Sequence, residues 1–168
     1  MNNPKVKITV KNFGTMIAEL YPDMAPLTVE NFVGLVEKGF YNGLIFHRVI
    51  PGFMIQGGGF DTDYQQKETA SIRGEFAANG FTQNTLKHTR GVLSMARTMV
   101  PDSASSQFFL MHKDSPHLDA QYAAFGKVIE GEDVIDAIAE VKTTTKMRYY
   151  QDWPVEDVVI ESMEMLHE

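Results

Sequence analysis

The chain has 168 residues, no cysteine and a formal net charge of −7. This length suits one domain, here residues 1–168, with a core that needs no staples. The acidic balance argues against a general nucleic-acid binder, and the missing cysteines exclude disulfides and thiolate metal sites.

Lys5 to Lys11 alternates strictly, with Val6, Ile8 and Val10 on one face, and reads as a half-buried strand. Asn12-Phe13-Gly14 is a turn, and Thr15 to Tyr21 resumes the alternation with Met16, Ala18 and Leu20 inward, which predicts a hairpin. A helix is expected over Pro26 to Lys38, with Val29, Phe32, Val33 and Val36 as its apolar stripe and Gly39 as its stop. Asp61 to Thr69 is polar and expected at the surface, and Ala77 to His88 shows no period and reads as loop. Gly91 to Met95 and Gln107 to Met111 read as buried strands around a loop from Met99 to Ser106. Phe125 to Ile129 reads as another strand. A second helix is expected over Glu132 to Val141, then a linker-like loop from Thr143 to Pro154. A last strand follows over Val155 to Leu166, its pattern broken near Glu161 and Glu164 as by a bulge. Many strands and only two helices favour a closed antiparallel barrel over a parallel α/β sheet.

The stretch from Phe46 to Gly58 is the most informative. Pro51-Gly52 between two short apolar runs suits a type II turn. Strand parity puts Phe46 and Arg48 on one face of the first run, His47 and Val49 on the other, and Met54 with Gln56 on one face of the second. Pairing of the runs then gathers Arg48, Met54 and Gln56 on one surface with Phe53 at its corner, a cation expected to be kept from water beside apolar groups.

This stretch resembles the signature of the cyclophilin-type peptidyl-prolyl cis-trans isomerases. Gly91-Val92-Leu93-Ser94-Met95-Ala96, Ser106-Gln107-Phe108-Phe109, Leu118-Asp119 and Phe125-Gly126-Lys127-Val128 resemble further motifs of that family, in its order, so the likeness runs from about Lys5 to about Leu166. The resemblance implies a mainly β fold, a closed eight-stranded antiparallel β-barrel capped by two α-helices, in a minimal bacterial-type version. It implies prolyl isomerisation without cofactor or metal, acting on proline-containing peptides and on folded or unfolded client proteins. It also implies that Phe53, Met54, Phe109 and Leu118 line the proline site, with Tyr122 a further wall and Gln107 nearby. The backbone at Ala96-Arg97 would pair with the substrate like an added strand.

Such a reaction needs no nucleophile. Rotation about an Xaa-Pro bond meets a barrier of about 18–20 kcal/mol because amide resonance must break. The twisted nitrogen gains a lone pair, so a donor aimed at it binds the transition state better than the ground state. Arg48 is the candidate donor and Gln56 the group that aims it. Where well-known eukaryotic members carry Trp, His and Asn, this chain has His117, Tyr122 and Arg97. Losing the indole implies weak cyclosporin binding, and Arg97 suggests a preference for acidic substrates.

Other readings compete. His47 is expected to be a satisfied core histidine, and Phe108 ordinary core. His112, His117, His88 and His167 show no metal-ligand spacing. Gly57-Gly58-Gly59 lacks the Lys-Ser/Thr of a phosphate loop and reads as a tight strand exit. Ser94 lacks the Gly-x-Ser-x-Gly setting of a nucleophile. Glu132-Asp133 complements a helix dipole. Against the enzyme stands a non-catalytic peptide-binding module using the same groove, and a third class, a barrel holding a small apolar ligand. The first residues, Met1-Asn2-Asn3-Pro4-Lys5, lack the apolar run of a signal peptide, and no stretch has the length of a membrane span. A cytoplasmic monomer without membrane or nucleic-acid partners is therefore the expectation.

Overall fold

The structure is a computed structural model that describes residues 3–67, 69–148 and 150–166. Strands β1 (Lys5–Val10) and β2 (Gly14–Leu20) form the expected hairpin, with Ile8 opposite Met16. Their alternate residues Val6, Ile8, Val10, Met16, Ala18 and Leu20 are all buried. Helix α1 (Pro26–Glu37) has Pro26 in its first turn and ends before Gly39, whose φ is +73°. Its buried stripe is Thr28, Val29, Phe32, Leu35 and Val36, with Val33 only partly covered. Leu35 thus joins the buried stripe in place of Val33, while Phe32 is its deepest apolar residue. Ala25 offers no side-chain cap. A distant carboxylate takes that role: Glu75 Oε1 accepts from Thr28 N at 2.6 Å and Thr28 Oγ1 at 2.8 Å. A negative charge against free N–H groups at a helix start is favourable.

The remaining strands are β3 (Arg48–Ile50), β4 (Met54–Gly57), β5 (Val92–Met95), β6 (Phe108–Met111), β7 (Ala124–Glu130), β8 (Thr143–Lys146), β9 (Tyr150–Pro154) and β10 (Ile160–Leu166), with α2 at Glu132–Ala139. Eight form one curled antiparallel sheet in the order β10-β1-β2-β7-β5-β6-β4-β3. Its two end strands are linked through the segments that precede them. Ile45 bridges Val159, Gly43 N donates to Ile160 O at 2.8 Å, and Phe46 N donates to Val158 O at 3.0 Å. The inward face is filled by aromatic rings. Phe32, Tyr41, Phe46, Phe108 and Phe125 meet with centroids 5.0–6.0 Å apart. Phe108 is core, as parity requires.

Three expectations change. The segment from Thr143 to Pro154 is a hairpin, β8–β9, not a linker. Its mostly polar residues present no alternating apolar face, and it is held through buried Trp153, with Tyr150 against Phe60 and Lys146 Nζ donating to Tyr64 Oη at 2.7 Å. The last strand begins at Ile160 rather than Val155, since 155–159 loops over to meet the chain before β3. Thr9 pairs with Ser162 and Val10 with Ile160, so the bulge falls at Glu161, while Glu164 pairs regularly with Lys7. The 77–88 loop contains a short 3-10 turn at Ala77–Asn79. Among the described residues, no helix is long and apolar enough to cross a membrane.

Candidate active site

The sheet's outward face carries a second apolar cluster of Met54, Val92, Phe109, Met111, Leu118 and Ala124. Register places the polar groups beside it. Arg48 pairs with Gln56, Gln56 with Phe109, and Phe109 with Ser94, a single row across β3, β4, β6 and β5. Phe46 does not share this face. It lies in the inner core because the strand begins only at Arg48, and the chain before it turns inward. Nor is Arg48 dry: its side chain is exposed. Its Nη1 donates to Gln56 Oε1 at 3.4 Å, and Gln56 Nε2 donates to Gln107 Oε1 at 2.9 Å. By engaging the Gln56 amino group, Gln107 leaves the carbonyl end facing the guanidinium. Gly59 permits this relay, since a Cβ there would collide with the Gln107 amide.

The turn is as expected, with Gly52 at φ +80° and Phe53 N donating to Ile50 O at 3.0 Å. It is tied to the end of β6, where Gly52 N donates to His112 Nδ1 at 2.9 Å and His112 N donates to Phe53 O at 2.9 Å. His112 Nε2 lies 3.1 Å from Asp136 on α2, which also holds Arg90 through two guanidinium contacts. Glu132 joins the same network at 3.0 Å from Arg90, a cross-link the dipole reading did not foresee. Phe53 is thereby fixed at the corner of a cleft of about 120 Å³. The cleft is lined by Arg48, Phe53, Met54, Gln56, Ala96, Arg97, Phe109, Leu118 and Tyr122. Of the other sequence candidates, Gln107 lies in the adjoining trough, bonded to Gln56. His117 stands at the rim with its ring 5.7 Å from that of Phe53.

Arg97 differs from expectation. Its guanidinium lies between the Phe76 and Tyr122 rings, at 4.8 and 4.6 Å. It donates to Gln121 O at 2.6 Å and to Thr98 O at 3.0 Å. A cation engaged this way braces the Tyr122 wall and has few donors left for an acidic substrate.

Behind the cleft stands a buried group that sequence reading missed. His88 Nε2 is 2.8 Å from Ser94 Oγ, and its Nδ1 is 3.1 Å from Asp119 Oδ1. Its ring stacks on Phe109, with centroids 6.1 Å apart and planes 19° from parallel. The arrangement looks like a hydrolytic triad, but Ser94 and His88 are 0% and 1% exposed, so no substrate reaches them. It props Phe109. Burial lowers the His88 pKa even though Asp119 opposes the shift. Residues 88, 94 and 119 share no spacing pattern, so only the fold brings them together.

His47 is buried against the Phe60 and Trp153 rings, at 4.7 and 5.5 Å. It is not satisfied, because its Nδ1 has no partner among the described residues. Burial, then the Arg48 charge, pushes its pKa down to about 4. The unfolded chain, with an ordinary histidine near about 6.5, therefore binds the proton more readily. Stability is complete above that value and falls as pH drops through the window toward 4. Urea unfolding at pH 7.5 and pH 5 is expected to show a loss on the order of 2 kcal/mol, with His88 adding in the same direction. An unchanged midpoint would contradict a neutral, buried His47.

Among the described residues, no group of His, Asp and Glu is arranged to hold a metal, and His167 lies outside them. The family model for "Cyclophilin type peptidyl-prolyl cis-trans isomerase/CLD" matches residues 5–165. A "Peptidyl-prolyl cis-trans isomerase" of Acinetobacter baylyi is 49% identical, over 92% of this chain and 81% of the relative. "Peptidyl-prolyl cis-trans isomerase B" of Escherichia coli K12 is 44% identical, over 90% of this chain and 94% of its own. The crystal structure of a Cryptosporidium parvum cyclophilin-type isomerase superposes with a TM-score of 0.80 at 27% identity, covering 99% of both chains. A second structure of that protein, determined in the presence of the dipeptide Ala-Pro, superposes at 0.78 with 28% identity.

Proposed function

We propose, from the premise that this chain belongs to the cyclophilin-type peptidyl-prolyl cis-trans isomerase family, that Arg48 is the group that lowers the barrier to rotation about Xaa-Pro bonds. The observation that carries this is the Arg48–Gln56–Gln107 relay at the edge of an apolar cleft. The proline ring enters between Phe53, Met54, Phe109 and Leu118. Its entry covers Arg48, which is solvated in the free protein, and removes the water that favours the planar, dipolar amide. Gln56 holds the guanidinium so that an N–H reaches the prolyl nitrogen once twisting gives it a lone pair. No bond is made or broken, so neither base nor metal is needed. The segment at Ala96–Arg97 offers an extended edge to the peptide, with Ala96 N already donating to Gln107 O at 3.0 Å. The deciding measurement is the isomerisation rate of a proline test peptide with wild type and Arg48→Ala.

Proline-containing segments of client proteins, during folding or after it, are the substrates we assign, and the protein acts as a cytoplasmic monomer in one domain. Cyclosporin binding is weak, because at the rim an exposed imidazole stands where an indole would add apolar surface and a donor. His117→Trp is expected to tighten cyclosporin by about tenfold, roughly 1.4 kcal/mol. Nanomolar inhibition of the wild type would overturn this.

A further inference from the structure

On the far side of Arg48 from the apolar cleft runs a second, larger trough of about 370 Å³. It is lined by His47, Arg48, Gln56, Phe60, Gln66, Gln107, Tyr150, Gln151 and Asp152. Arg48 and Gln56 belong to both spaces, so a peptide leaving the cleft on this side must cross the trough. Its outer wall is the β8–β9 hairpin.

That wall has an unusual backbone. Thr144 pairs with Trp153 and Lys146 with Tyr150, so Gln151 and Asp152 stand opposite Thr145 alone. This is a bulge, and Asp152 occupies it with φ +60°. A non-glycine residue in the left-handed region is costly, and aspartate tolerates it better than most. Bulges re-aim side chains, and this one puts a carboxylate on the trough. Among the described residues, the Asp152 carboxylate has no hydrogen bond or ion pair. Beside it the Tyr150 ring is fixed edge-on against Phe60 and Trp153, with centroids 5.4 and 5.5 Å apart, and remains 39% exposed. Arg48, which also lines the trough, donates to Gln56 at 3.4 Å rather than to Asp152.

We propose that this trough is a flanking subsite for a lysine or arginine of the client chain, its ammonium or guanidinium on Asp152 and its methylene stem along Tyr150. The inference rests on the groove reading above, because the peptide must first seat its proline next to Arg48. It gives the enzyme a sequence preference outside the Xaa-Pro pair, set by a hairpin rather than by the barrel.

The test scans proline peptides bearing Lys, Glu or Ala at each of three positions on either side of the proline. Both kcat/KM and equilibrium binding are read, for wild type, Asp152→Asn and Asp152→Lys. Asn tolerates the same backbone conformation, so the first variant removes only charge. The expected result is a Lys-over-Glu preference of about three- to fivefold, the size of a partly exposed ion pair, at positions on one flank only. Salt near about 0.5 M should erase it. Asp152→Asn should bring the ratio close to one, and Asp152→Lys should invert it. A wild type with no preference, or a preference that survives in Asp152→Asn, overturns the subsite. Lys-selective binding without turnover supports the subsite while defeating the isomerase mechanism, so the two failures are separable.

Discussion

Replacing Arg48 with alanine is expected to cut kcat/KM for a proline test peptide by about 10² to 10³, the value of one preorganised donor to a charge-developing atom. The loss should fall on kcat. In the proposed mechanism the guanidinium would meet the prolyl nitrogen only when the bond is twisted, whereas the cleft walls Phe53, Met54, Phe109 and Leu118 would grip the ring in both states. Peptide affinity should therefore stay within a few-fold of wild type. Folding should be unaffected, since the side chain is exposed and its one bond to Gln56 is long at 3.4 Å. The same experiment separates the enzyme from a scaffold. A wild type that binds but does not turn over would be a peptide-binding module, and a variant as active as wild type would remove Arg48 from the mechanism.

Trp153→Ala is expected to destabilise the protein by about 3–4 kcal/mol, as for other large aromatic truncations in a core. For a chain of this size that corresponds to a fall in Tm of roughly 10 °C. Trp153 is 0% exposed and is ringed by Phe60, Tyr64, Tyr150 and His47, with centroids 5.1–5.5 Å away. It is the pin that holds β8–β9 on the flank of β3. Removing it leaves a cavity beside His47 and frees the hairpin. Trp153→Phe should cost less, because the indole N–H is buried without a partner among the described residues and its loss relieves a desolvation penalty. A Tm shift below about 2 °C for the alanine variant would mean that the hairpin is not anchored there.

Much of this molecule is legible in one dimension. Period-two runs at residues 5–21 and the apolar stripe of the first helix declare local structure, because burial of one face is written into adjacent residues. One part of the cleft's lining was legible for a related reason, while Ala96, Arg97, Phe109, Leu118 and Tyr122 were expected there only from the family resemblance. Arg48, Phe53, Met54 and Gln56 fall within nine positions around one turn, so register alone assembles them.

Other features depend on contacts between distant segments, and no local pattern encodes those. The 143–154 segment looks like a linker because its anchors, Trp153, Tyr150 and Lys146, meet partners between residues 47 and 64 that no local pattern reveals. His88, Ser94 and Asp119 meet only through the sheet and the loop beside it. Glu75 caps a helix that starts 49 positions earlier. Arg97 reads as a free cation until the fold slides two rings around it. Periodicity marked most of the strands and both helices, and composition set the chemistry available to them. Tertiary structure alone decided which charges stay solvated, which are braced, and that Asp152 faces the groove, because electrostatic environment is set by neighbours in space rather than along the chain.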